Sequence, residues 1–167
     1  MLPLISTAAF LALAAAAAWS DLRRRRVGNR LVLVIAASGL LRQATTGSIT
    51  APLLGLAGMA VGLALLLPAF AARWVGGGDA KLLAGFGAWL GPWGVLIGGL
   101  GGIALGGLLA IAMAVAGGIG REVAGNLGAS IVTLTAPVAP RRGRGLIVPL
   151  AVPLAAACTL VFLRGAP

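Results

Sequence analysis

The sequence predicts an all-α membrane protein whose chain crosses the bilayer about six times. Of its 167 residues, 60% are hydrophobic and only 10% are charged. A membrane-spanning helix needs about 20 apolar residues, and uncharged runs close to or above this length recur at 2–19, 51–72 and 146–163, with a longer one at 82–120. No polar segment is long enough to form its own core, so we expect a single membrane-embedded domain over residues 1–167.

The expected helices follow these runs in chain order. Their approximate bounds are 2–19, 29–41, 51–72, 80–90, 93–118 and 146–163, with a loop at 121–145. Lysine and arginine are enriched in cytoplasmic loops, and this bias orients the chain. With the N-terminus outside, only Arg42 and Arg164 of the thirteen basic residues lie outside, which leaves eleven inside. We therefore expect a multi-pass protein of the cell's inner (cytoplasmic) membrane, with the loop at 121–145 in the cytoplasm.

The second expected helix is unusually short. Its uncharged part, 31–41, extends about 16 Å, whereas the hydrocarbon core of a bilayer is about 30 Å thick. We expect this helix to extend into its polar flanks or to lie where the bilayer is thinned.

The long apolar run contains a stripe of small residues, hereafter the small-residue stripe. Its members recur at every fourth position: Gly94, Gly98, Gly102, Gly106, Ala110, Ala114 and Gly118. On a helix this spacing predicts a packing face, because small residues let helix backbones approach closely in lipid. A chance result of the high glycine content is the alternative, and neither interpretation assigns chemistry to the stripe.

The charge and the rare residue types exclude several functions. The net charge of +10 arises from arginines beside apolar spans, where they meet anionic headgroups. We therefore expect lipid rather than nucleic acid as the partner of the basic residues. The single cysteine, Cys158, lies in an apolar run, and histidine is absent. These absences argue against a disulfide framework, Cys-based zinc sites and Ser-His catalysis, so we expect no metal and no cofactor.

The chain has only three acidic residues, and two of them, Asp21 and Asp79, stand at the ends of apolar runs. An acid at the edge of hydrocarbon is costly and points to function. Asp79 follows a run of glycines, and its alternative role is that of a helix N-cap. Asp21 lies near a helix C-terminus, where the helix dipole disfavours negative charge. Its alternative role is a headgroup-level acid balanced by arginines.

Two carboxyl groups on one membrane face could form an aspartyl protease pair. Such a pair shares one proton, so that one carboxylate takes a proton from water while the other carboxyl polarises the scissile carbonyl. This chemistry needs neither metal nor histidine. Asp21 and Asp79 could meet if the first helix packs against the fourth, which the sequence does not decide.

The residues around both acids resemble one family. Residues 76–83 read GGGDAKLL, which is similar to the GxGDxKL form of prepilin peptidases, the GxGD-type aspartyl membrane proteases. Residues 20–31 read SDLRRRRVGNRL, similar to the family's first site, although Gly28 stands where a proline is usual. Residues 145–153 read GLIVPLAVP and resemble the proline-containing start of the family's last helix.

The resemblance implies a leader peptidase that cuts type IV pilin-like precursors after a glycine, at the cytoplasmic face of the membrane. Asp21 and Asp79 would be the catalytic pair. Nothing in the sequence is similar to the methyltransferase and zinc-binding domain of larger members. Peptidase activity alone is therefore expected, as in the short members that serve tight-adherence pili or archaeal-type filaments.

The remaining implied residues have lesser roles. Gly76 and Gly78 would let the substrate backbone approach Asp79. Lys81 and Asn29 are supporting candidates, and a lysine that only reaches toward the headgroups is an equally good interpretation of Lys81. The expected partners are a prepilin or pseudopilin precursor and anionic lipid, and a homo-oligomer is left open.

Other functional classes remain as alternatives. A small channel, transporter or assembly factor could use its acids to line a polar path, although no acid lies mid-span and no repeated half with broken helices is evident. A GxGD protease that cuts within membrane spans and an inactive scaffold are further alternatives.

Overall fold

The computed structural model describes residues 2–24, 27–45, 48, 50–118 and 150–165. Within these residues 88% of the chain is helical, and no strand occurs. The all-α class is therefore confirmed for the described part of the chain. In order the helices are α1 (Leu2–Arg24), α2 (Asn29–Ala44), α3 (Ala51–Ala71), α4 (Gly77–Ala116) and α5 (Ala151–Leu163).

Two helices extend past their predicted ends. The predicted end of α1 at residue 19 is wrong, since the helix continues through Asp21 to Arg24. Leucine and arginine favour helix, and arginine side chains can reach headgroup water from a helix end. Helix α2 continues to Ala44 and has 16 residues, or about 24 Å of length. It thus extends into its polar flank, which is one of the two expected solutions for a short span.

Helix α4 covers the region of the two predicted helices 80–90 and 93–118, and it begins at Gly77 rather than at residue 80. The helical backbone is interrupted at Gly91, which has φ 69° and ψ −177°. Only glycine adopts this conformation readily. Pro92 follows, where its missing N–H costs no helical hydrogen bond.

The chain reverses direction at Gly91. Residues 77–90 form the first arm of α4 and residues 92–116 form the second arm. Leu83 in the first arm lies against Gly99 in the second arm, which a straight or gently bent helix would not allow. The out-and-back path expected for this region is therefore present, and it brings both ends of α4 to the same end of the bundle.

Among the described residues, three helices are long and apolar enough to cross a membrane: Leu4–Arg24, Ala51–Ala71 and Gly77–Ala116. Helix α5 is also apolar but has only 13 residues. Many large apolar side chains face outward, among them Leu4 and Leu33, which are 75% and 72% exposed. An apolar surface of this extent is suited to lipid rather than to water. The chain is a membrane protein, whereas six spans and an outside N-terminus remain predictions.

Helix α3 packs against the first arm of α4 through two glycines. A Cβ atom at Gly58 would overlap the carbonyl of Gly87, and a Cβ atom at Gly87 would overlap the carbonyl of Gly58. The two backbones are therefore in direct contact. In lipid, where apolar side chains gain little by leaving the solvent, such close packing is a main source of helix association.

The small-residue stripe receives α5, which confirms its packing role. A Cβ atom at Gly98 would overlap Cys158, and one at Gly102 would overlap Leu154. The side chains of α5 thus occupy the space that the missing side chains of the second arm leave open.

An aromatic cluster ties α1, α4 and α5 together. The ring of Phe10 lies 4.3 Å from that of Phe162 and 5.3 Å from that of Trp89, measured between centroids. The indole N–H of Trp89 donates a hydrogen bond of 2.9 Å to the carbonyl of Ile35 on α2. This buried polar group is therefore satisfied, and α2 is fixed to α4.

Some predictions fall outside the described residues. These are the loop at 121–145, the first part of the predicted last helix at 146–149, and residues 25–26 of the arginine run.

The glycine contact between α3 and α4 predicts a stability effect. Gly58→Ala should lower the free energy of unfolding by about 1–3 kcal/mol, since the added methyl must displace backbone. Gly101→Ala is the matched control, because its Cβ would meet only Ala157, at an ordinary contact distance of 3.6 Å. Thermal unfolding in detergent measures both variants. Equal stability of the two would contradict the backbone contact.

Candidate active site

Asp21 lies in the last turn of α1, and its side chain is buried, with 7% exposed. Its carboxylate Oδ2 accepts a hydrogen bond of 3.1 Å from the backbone N–H of Ala151. The N-cap of α5 is Leu150, whose side chain caps nothing. Asp21 thus supplies from α1 the acceptor that the start of α5 lacks. The positive end of the α5 dipole offsets the unfavourable position of Asp21 at the end of α1.

Asp79 lies in the first turn of α4 and is half-buried. The N-cap of this helix is Gly76, so the alternative assignment of Asp79 as the N-cap is wrong. The glycines at 77 and 78 join the helix, and Asp79 becomes its third residue. From this position an acidic side chain can reach back to the N-cap, and the N–H of Gly76 donates a hydrogen bond to the Asp79 carboxylate.

Asp21 and Asp79 line one cavity of about 620 Å³, hereafter the aspartate cavity. Their carboxyl groups are close enough for the two charges to interact. The structure therefore brings together, from separate helices, the two acids that the sequence singles out. The other lining residues are Leu65, Leu66, Ala69, Trp74, Val75, Gly76, Ile103, Gly106, Gly107, Ala110 and Leu150.

The walls of the aspartate cavity are mostly apolar, and apart from Gly76 the sequence predicts a site role for none of them. They come from the end of α3, the second arm of α4 and the start of α5. Gly106 and Ala110 belong to the small-residue stripe, so the stripe that packs α5 also lines the cavity beside the acids. The four-residue spacing of the stripe is visible in the sequence. No sequence feature, however, indicates that Gly106 and Ala110 lie beside Asp79.

The turn between α3 and α4 carries Trp74 and Val75 to the cavity. Arg73 adopts φ 60°, the left-handed conformation. The N–H of Arg73 bonds the carbonyl of Phe70 at 2.9 Å, and the N–H of Trp74 bonds that of Ala69 at 2.8 Å. This pair of bonds is the Schellman ending of a helix, in which glycine usually occupies the left-handed position. An arginine there is strained.

The two glycines proposed for substrate approach have different surroundings. Gly76 lines the aspartate cavity beside Asp79. Gly78 instead faces the backbone of Val27, the segment that follows α1, and a Cβ atom there would lie 3.8 Å from the Val27 backbone. Gly76 is therefore the one placed to leave room for a substrate backbone.

Lys81 and Asn29 contact each other but do not line the aspartate cavity. The Lys81 ammonium donates a hydrogen bond of 3.4 Å to Asn29 Oδ1, and both residues line a separate cavity of about 330 Å³. Residues two apart on a helix do not share a face, so Lys81 points away from the side of α4 that bears Asp79. Within the described chain, no three His, Cys, Asp or Glu side chains come together as a metal site.

A comparison with known protein families shows which family the chain belongs to. A profile of the type IV leader peptidase family matches residues 8–111, which is more than half of the chain and includes both Asp21 and Asp79. The chain belongs to the type IV leader peptidase family. The resemblance to prepilin peptidases is thereby confirmed. Members of the family are peptidases, and aspartic-type hydrolysis is its known class. Comparison with curated proteins and with solved structures found no match.

The strained turn predicts a stabilising substitution. Arg73→Gly should raise the free energy of unfolding by about 1 kcal/mol, because glycine adopts the left-handed conformation without steric cost. Arg73→Ala is the matched control, since it removes the same side chain but keeps the strain. Thermal unfolding in detergent should show a gain for the glycine variant alone. An equal gain for alanine would attribute the effect to the arginine side chain instead.

Proposed function

We propose that this chain is a prepilin leader peptidase that uses Asp21 and Asp79 as an aspartyl pair. The observation that carries the proposal is that these two acids, on separate helices, line one cavity. Membership of the type IV leader peptidase family supports the same chemistry.

In the proposed reaction the two carboxyl groups share one proton. The ionised carboxylate takes a proton from a water molecule as the water oxygen attacks the carbonyl carbon of the scissile peptide bond. The protonated carboxyl donates its hydrogen bond to the carbonyl oxygen, on which negative charge develops. Proton transfer to the leaving nitrogen then breaks the C–N bond. Two carboxyls that share a proton in this way titrate as a pair and not as separate groups.

The surroundings of the acids support this role. Backbone N–H groups of Ala151 and Gly76 hold the two carboxylates, so each is oriented by a helix start and not by a mobile side chain. Rigid support of this kind keeps reacting groups aligned. Gly76 leaves room for a substrate backbone beside Asp79, and most of the other cavity walls are apolar.

The proposed substrate is a pilin-like precursor whose short basic leader is removed after a glycine. We place the reaction at the cytoplasmic face of the inner membrane, because both acids lie at the end of the bundle that the basic loops assign to the cytoplasm. The arginines that follow Asp21 would contact anionic headgroups at this face. A homo-oligomer remains compatible with the proposal.

The aspartyl pair predicts the effect of two conservative substitutions. Asp21→Asn and Asp79→Asn should each reduce leader removal by about 10²–10⁴-fold, since an amide cannot carry the shared proton. The measurement is co-expression with a candidate pilin precursor, followed by gel separation of the precursor and the processed pilin.

Glu122→Gln is the matched control, because it makes the same acid-to-amide change at the remaining acidic residue. It should process the precursor at the normal rate. Normal processing by either asparagine variant would exclude the aspartyl pair.

A further inference from the structure

A second cavity, of about 180 Å³, lies at the end of the bundle opposite Asp21. We call it the arginine cavity. Its lining comprises Ser6, Thr7, Arg42, Trp89, Leu90, Phe162 and Gly165. Ser6 is near the start of α1 and Asp21 near its end, so about 22 Å of helix separates the two at about 1.5 Å per residue. The cavity is therefore remote from the proposed catalytic pair.

The guanidinium of Arg42 is the charged group of this cavity. Its Cζ atom lies 5.3 Å from the centre of the Phe162 ring and 5.8 Å from that of the Trp89 ring. One N–H contacts the carbonyl of Trp89 at 3.5 Å, a long hydrogen bond. A guanidinium carries several N–H donors and stays protonated, so this contact leaves donors for another acceptor.

The described residues offer Arg42 no negative partner. Their acidic side chains are Asp21 and Asp79, and both line the aspartate cavity at the other end. A half-buried permanent charge among apolar helices is costly unless an opposite charge is nearby. The contacts with the two rings offset only part of this cost, because a cation over an aromatic face is stabilised less than a cation in a buried ion pair.

We propose that the arginine cavity binds a phosphate group, carried by a lipid headgroup or present as free phosphate. The planar fork of a guanidinium matches the oxygens of a phosphate and can bond two of them. The hydroxyl-bearing residues Ser6 and Thr7 line the same space, while Leu90 and Phe162 offer apolar contact to the glycerol and chain atoms of a lipid. Exposed Trp93, at 67%, marks this end as membrane interface.

Lipid-dependent stabilisation tests this proposal. The full chain is purified in maltoside micelles, which contain no phosphate, and its thermal unfolding is followed while short-chain phosphatidylglycerol or inorganic phosphate is added. A bound ligand raises the unfolding temperature by an amount that grows with the ratio of its free concentration to its Kd. In Arg42→Gln the concentration needed for a given rise should increase about tenfold or more, because a charge-assisted pair is lost.

Each variant is compared with itself without ligand, so a lower starting stability of Arg42→Gln does not affect the result. Arg164→Gln, which removes a basic residue outside the cavity at the same end, should respond like the unchanged chain. A response to phosphatidylglycerol alone identifies a lipid headgroup, and an equal Arg42-dependent response to inorganic phosphate identifies the free ion. The proposal is overturned if neither ligand gives a response that depends on Arg42. In that case Arg42 only joins α2 to the aromatic cluster.

Discussion

The hydrogen bond from the backbone N–H of Ala151 to Asp21 is the contact on which the aspartate cavity depends. It satisfies an acid buried in an apolar bundle, which would otherwise be costly, and it fixes the start of α5 to the end of α1. Helix α5 in turn lies on the small-residue stripe of the second arm of α4. That arm turns back at Gly91 onto the first arm, whose first turn carries Asp79. One bond and two packing surfaces therefore connect the two acids.

The packing surfaces use glycine because the chain folds in an apolar surrounding. Helices in lipid gain little from burying leucine, so close approach of backbones must provide the attraction. The contact of Gly58 with Gly87 and the contacts of α5 along the stripe meet this requirement. Gly106 and Ala110 of the same stripe line the aspartate cavity. The face of the second arm that packs α5 therefore also borders the space beside the acids.

The sequence identifies the residues of the site better than their contacts. The scarcity of acids, and the free-energy cost of an acid at the edge of hydrocarbon, single out Asp21 and Asp79. The four-residue spacing identifies the small-residue stripe, and the residues around the acids indicate the family. The contact of Ala151 with Asp21 joins positions 130 residues apart, so no local pattern reports it. Three consecutive glycines predict a turn, so the sequence does not indicate a helix that begins at Gly77. Because the helix does begin there, Gly76 is the N-cap and Asp79 is the third residue of the helix. Lys81 belongs to the same motif as Asp79, whereas helix geometry turns its side chain away from Asp79 and toward Asn29.

The central claim is that Asp21 and Asp79 face one another across a single cavity, and cross-linking tests it directly. In a Cys158→Ala background, the pair Asp21→Cys with Asp79→Cys is treated with a short bifunctional thiol reagent in native membranes. Intact mass spectrometry then distinguishes one bridging reagent from two separate additions. We predict bridging for this pair and separate additions for Asp21→Cys with Lys81→Cys, which places the second thiol on the other side of α4. Bridging of the second pair but not of the first would contradict the account.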